Sequence, residues 1–175
     1  FFLIISCKYE KYEPAANKIP LAECIDGHAK FTKEGKEYEF ECSGYDLMGF
    51  ISLDEMNADA GNDCWGWTDP STGKEFALMG LDNGTAFIDI SEPTQPVYLG
   101  KLPTETIPTV WRDIKVYKDH AFIVADFNSN TPGNDKNHGI QVFDLNILNG
   151  TSKPTNFTHD FLYLEHGQAH NIAIN

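Results

Sequence analysis

The sequence predicts an all-β protein, a β-propeller built of short repeats and incomplete, with about two blades and the start of a third. Three observations predict it. Two segments match each other at a period of ~45 residues. Each consists of short apolar or alternating runs separated by turn residues, and no convincing helical period appears anywhere in the 175 residues. Four-stranded blades joined by tight turns have that signature.

Composition narrows the function before any motif is read. The formal net charge is −13, with a pI near 4.7. Nucleic acid is therefore not an expected partner, and neither is an anionic lipid surface reached by charge alone. The apolar fraction of 41% is that of a globular chain, so disorder is not the expectation. No run is long and apolar enough to span a membrane.

Residues 1–7, Phe1-Phe2-Leu3-Ile4-Ile5-Ser6-Cys7, resemble the end of a signal peptide closing in a bacterial lipobox. In that reading Cys7 becomes the lipid-bearing N-terminus and anchors the protein in a membrane. Residues 8–20 form a polar tether. The expected location is the cell surface or outer membrane as a lipoprotein, or else the periplasm or extracellular space. Residues 21–60 are expected to carry a disulfide, because in an exported chain Cys24 and Cys42 form a natural pair around a short loop. Cys64 reads as a small buried apolar residue. Tyr45 to Asn57 has room for one short helical turn.

The repeats occupy residues 61–175, divided at about 61–103, 104–150 and 165–175. Phe76-Ala77-Leu78-Met79-Gly80 followed by Gly84 to Ile90 matches His120 to Ala125 followed by His138 to Leu145. Ala77 to Ala121 spans 44 positions and Gly84 to Gly139 spans 55, so the second copy carries an insertion of 11 between its strands, roughly Asp126 to Asn137. Asn83-Gly84 predicts a hairpin turn, and Lys118-Asp119-His120 predicts another. Pro93 and Pro96 mark an inter-strand loop before Val97-Tyr98-Leu99-Gly100. Trp111-Arg112-Asp113-Ile114 and Ala169-His170-Asn171-Ile172 match as strand openings, so the 175 residues read as a piece of a longer propeller.

The strings "GNDCWGWTDPSTGKEFALMGLDNGTAFIDISEPTQPVYLGKLPT", "WRDIKVYKDHAFIVAD", "HGIQVFDL" and "AHNIAIN" resemble exported bacterial proteins of the choice-of-anchor B family, built of LVIVD-type repeats. The resemblance covers Cys24 to Asn175. It implies a β-propeller carried to the cell surface, and it names no substrate. Cys64 departs from the pattern, standing where relatives have an aliphatic residue, and the Asp126–Asn137 loop is longer than the family's.

Residues that open blades line a propeller's central channel, so Arg112, Asp113, His170 and Asn171 are the candidate ligand-binding residues at a channel mouth. Asn62-Asp63 and Trp65-Gly66-Trp67 open the first unit in the same way. Asp89 and Asp144 recur at equivalent positions, as turn residues do and catalytic residues need not. Asp126, Asn128 and Asn130 space their oxygens like a calcium loop. Thr131 and Asn137 stand where such a loop has Gly and Glu, so a solvated loop is the better reading and no cofactor is expected. His166 and His170 lie four apart but not on a helix.

No nucleophile elbow, phosphate loop or dinucleotide fingerprint occurs. The expected function is an anchored binding module for a protein or glycan ligand. The alternative is a propeller hydrolase or lyase using Asp113, His170 and a divalent cation.

Overall fold

A computed structural model describes residues 20–127 and 137–175. Cys7 with the leader-like segment, the tether up to residue 19, and both Asn128 and Asn130 of the proposed calcium loop lie outside the described residues. Among the described residues the chain is all-β, with strands arranged in three open sheets and one short 3₁₀ helix. It divides into two compact units, Phe1–Met48 and Gly49–Asn175.

The smaller unit is a three-stranded antiparallel sheet of β1 (Cys24–Ile25), β2 (His28–Lys33) and β3 (Lys36–Glu41). Its two hairpin turns are Asp26-Gly27, with φ of 50° and 85°, and Glu34-Gly35, with φ of 52° and 78°. Positive φ at both central residues matches the right-handed twist of the flanking strands. Ala29, Phe31, Tyr38 and Phe40 share one face by register, with Phe31 stacked on Tyr38 at 5.1 Å. On the other face Lys30 pairs with Glu39 at 3.0 Å. The Cys24–Cys42 disulfide expected from the sequence joins β1 to the end of β3, with the two Cα atoms 5.9 Å apart.

Residues 49–60, grouped by the sequence with this disulfide segment, belong to the larger unit. Ile51, Leu53, Met56 and Ala58 pack against Leu81, Ala86 and Ile88 on a sheet of that unit, and apolar burial decides the assignment. The helical turn expected here is a hydrogen-bonded turn. Glu55 N donates to Ser52 Oγ and Ser52 N donates to Glu55 Oε2, at 3.1 and 2.9 Å. It ends at Asn57, whose φ is 48°, so no helix continues. Buried Lys101 holds the turn by donating to the carbonyls of Met56 and Asn57 and to Asn83 Oδ1.

The first large sheet is the antiparallel meander β4 (Gly61–Thr68), β5 (Glu75–Leu81), β6 (Gly84–Asp89) and β7 (Val97–Pro103). The hairpin expected at Asn83-Gly84 is shifted by one residue. Leu81 pairs with Gly84, leaving Asp82-Asn83 as the turn. Glycine is needed at 84 for close approach, because a Cβ there would collide with the Leu102 carbonyl.

The second large sheet contains β8 (Trp111–Tyr117), β9 (His120–Asp126), β10 (Ile140–Asp144) and β12 (Phe161–Tyr163). Between β10 and β12 the chain forms the 3₁₀ helix Leu145–Gly150 and then β11 (Thr155–Asn156). β11 crosses to the first large sheet and pairs in parallel with β7 as its fifth strand. The second sheet thus reaches past residue 150, where the sequence places the end of the repeat.

The two large sheets pack face to face through one core. Alternation along each strand decides which residues enter it. From the first sheet come Trp67, Phe76, Leu78, Phe87, Leu99 and Leu102, and from the second Ile114, Ala121, Ile123 and Phe143. Phe87 stacks on Phe143 at 4.6 Å, and Phe157, delivered by β11, meets both rings edge-on. Burying an aromatic ring of this kind contributes about 2–3 kcal/mol. Cys64 is exposed, contrary to the sequence reading, because β4 is the edge strand and Cys64 lies on the side facing away from this core.

Candidate functional site

The strand openings flagged by the sequence converge. Asn62, Asp63, Trp111, Arg112, Asp113, His170 and Asn171 line one cleft of about 220 Å³. All four predicted channel-mouth residues are therefore together, and β4 adds Asn62 and Asp63.

The convergence rests on one contact used twice. β8 runs beside β4, and Asp63 Oδ2 accepts the backbone N–H of Ile114 at 2.8 Å. Residues 169–175 run beside β8, where Asp113 Oδ2 accepts the N–H of Ile172 at 2.7 Å. Ile114 and Ile172 hold equivalent places in the matched openings, and each gives its N–H to an Asp of the preceding opening strand. A carboxylate satisfies an otherwise unpaired amide at the start of the next strand.

The carboxylate of Asp113 is almost fully engaged. Its Oδ1 accepts from Lys115 Nζ at 2.6 Å, and its buried position would by itself raise its pKa. The Lys115 ammonium and the Ile172 N–H outweigh burial and hold the group below the ordinary Asp value. Lys115 Nζ also donates to the Ile114 carbonyl at 3.0 Å, lies 3.9 Å from Asp63, and sits 4.8 Å over the Trp65 ring. The positive charge at the cleft is thus already matched by two carboxylates and an aromatic face.

Arg112 contributes main chain to the cleft and sends its side chain elsewhere. Alternation on β8 places it on the same face as Ile114 and Val116, between the sheets, where it is 1% exposed. There Nε donates to the Leu81 carbonyl at 3.0 Å, and Nη1 meets Nε2 of buried His138 at 3.0 Å. His138 Nδ1 lies 3.1 Å from the Gly139 carbonyl. Guanidinium can only donate, so His138 accepts at Nε2 and carries its proton on Nδ1. Burial, followed by the neighbouring guanidinium, lowers the His138 pKa to about 4. Burial also lowers Arg112 to about 10, which leaves it charged at neutral pH.

Trp111 and the ends of the cleft remain accessible. Trp111 is 52% exposed, and its ring packs 5.2 Å from the His170 ring. His170 Nδ1 lies 3.3 Å from Asp126 Oδ2, which places Asp126, the described member of the proposed calcium loop, against an imidazole. No cluster of three or more metal-ligating side chains occurs among the described residues. His166 does not line the cleft. Asn171 is exposed, while Asn62 donates its amide N–H to the Arg112 carbonyl at 2.8 Å.

Asp89 and Asp144 serve as turn residues. Each accepts at Oδ1 from the backbone N–H two positions on, Ser91 at 2.9 Å and Asn146 at 3.0 Å. Sequence reasoning missed Lys115 and His138. Lys115, two residues after Asp113, lies on the same face of β8 and carried a readable signal. His138, 26 residues beyond Arg112 in sequence, carried none. Comparison with known proteins finds no matching family model, curated protein or solved structure.

Proposed function

We propose that the protein is an exported, surface-anchored β-propeller module of the choice-of-anchor B kind that binds a protein or glycan ligand at this cleft. The observation that carries the proposal is the convergence of strand openings from separate repeats on one cleft with an exposed tryptophan. The propeller reading draws support from a five-stranded and a four-stranded sheet packed face to face with their opening strands β4 and β8 adjacent, and from the Asp63–Ile114 contact echoed at Asp113–Ile172. The Cys24–Cys42 disulfide suits an oxidising compartment, which supports the export part of the proposal.

Binding is favoured over hydrolysis by the state of Asp113. A general acid needs a carboxyl whose pKa is raised toward neutrality, and a general base needs a free oxygen facing substrate. Asp113 has a lowered pKa, and both of its oxygens accept hydrogen bonds. To test the proposal, the full chain is screened on glycan and peptide arrays beside Trp111→Ala and Asn171→Ala. The expected result is at least one ligand whose signal falls tenfold or more in both variants. Arrays without a hit, or hits indifferent to both substitutions, would refute the cleft as a binding site.

A further inference from the structure

The charged groups around the cleft are engaged with one another. The Arg112 guanidinium lies between the sheets, at Leu81 and His138. Asp113 holds Lys115 and the Ile172 N–H, and Asp63 Oδ2 holds the Ile114 N–H. His170 faces Asp126. An anionic ligand meets no unmatched cation here and approaches a chain of net charge −13. A metal cation meets carboxylates that already hold an ammonium.

What remains for a ligand is neutral. Trp111 is half-exposed, with His170 packed against its ring. The Asn171 amide is exposed and makes no hydrogen bond among the described residues. Asn62 keeps its side-chain carbonyl oxygen, because only its nitrogen is engaged by Arg112. A carboxamide offers a donor and an acceptor in one plane, which suits a pair of adjacent hydroxyl groups. An indole face suits a patch of C–H bonds. The cleft volume of about 220 Å³ lies below the roughly 300–1,000 Å³ of pockets for drug-sized ligands, so it admits one small ring.

We infer that the ligand is a single neutral sugar ring, stacked on Trp111 with its hydroxyl groups met by Asn171 and Asn62. This rests on the proposal that the cleft is a binding site and narrows it to one chemical class. The test titrates the full chain with the methyl glycosides of glucose, galactose, mannose and N-acetylglucosamine, using saturation-transfer NMR and calorimetry. Sodium phosphate and calcium chloride serve as counter-probes. At least one glycoside is expected to bind, with Kd raised tenfold or more by Trp111→Ala and by Asn171→Ala and partly restored by Trp111→Tyr. Both positions are exposed, so circular dichroism should show the variants folded as the parent.

If no glycoside binds while phosphate, calcium or an array peptide binds in a manner lost in Asn171→Ala, the sugar is wrong and the cleft stands. If a glycoside binds with the same Kd in both variants, both the sugar and the cleft are refuted.

Discussion

At the scale of single residues, the buried polar groups make stability depend on pH in two separate windows. His138 is neutral in the folded protein with a pKa of about 4, against an ordinary value of 6.5. Between those values the unfolded chain binds a proton that the folded chain refuses, so stability falls as the solution is acidified from pH 6.5 to 4. The shift corresponds to about 3 kcal/mol across the window. His138→Gln keeps an acceptor for Arg112 but does not titrate, so the variant should show a nearly flat urea midpoint from pH 6.5 to 4 where the parent declines. Parallel slopes in parent and variant would assign the acid sensitivity elsewhere. The second window belongs to Asp69, whose buried carboxylate is held at about 2 chiefly by the Thr72 hydroxyl, then by Ser71 and Asn149. Its folded pKa is depressed below 3.8, so its contribution is present above that value and disappears as pH falls toward 2. The two windows barely overlap, which lets each group be read separately.

At the scale of elements, legibility in the sequence follows the range of the interaction that fixes each one. β5 to β7 were readable because alternation and turn residues act between neighbours, and the hairpin error was one position. Three short elements were not readable. The 3₁₀ helix Leu145–Gly150 is nucleated by Asp144, whose side chain satisfies the Asn146 N–H. β11 exists because Gly100 has no Cβ to obstruct the Thr155 backbone, and β12 exists because Phe161 to Tyr163 find Val142 to Ile140. The partners that make β11 and β12 lie far away in sequence, at β7 and β10. The smaller unit is the opposite case, since its spacing predicted its cross-link. Three short strands bury little apolar surface, so the Cys24–Cys42 bond, closing a separation of 18, contributes about 3 kcal/mol. The double variant Cys24→Ser, Cys42→Ser should lose amide-exchange protection across β2 and β3. Its tryptophan fluorescence midpoint should stay unchanged, because Trp65, Trp67 and Trp111 all lie in the Gly49–Asn175 unit. Protection retained in β2 and β3 would show that the hairpins hold without the bond.

At the scale of the whole molecule, the candidate site and the packing of the sheets are one feature. The match between the openings at Trp111–Ile114 and Ala169–Ile172 was enough to single out Arg112, Asp113, His170 and Asn171, which line one cleft. It could not show that the carboxylates of Asp63 and Asp113 bind the backbone of the next strand, since alternation says which face a side chain takes and not what it meets there. Nor did it show that Arg112 turns inward. The same contact carries different loads in its two copies. Asp63 joins β4 to β8, and so one large sheet to the other, at Ile114, which is fully buried. Asp113 joins β8 to residues 169–175, which form no strand and pack at the surface. Asp63→Ala leaves a buried amide without its acceptor and should lower the global unfolding free energy by about 1–3 kcal/mol. Asp113→Ala should act mainly as a local opening, with faster hydrogen exchange at Ile172 and a smaller change in the urea midpoint than Asp63→Ala produces. A larger global loss from Asp113→Ala would mean that the last seven residues bear on the core as strongly as β8 does, and that the two copies are energetically as well as geometrically equivalent.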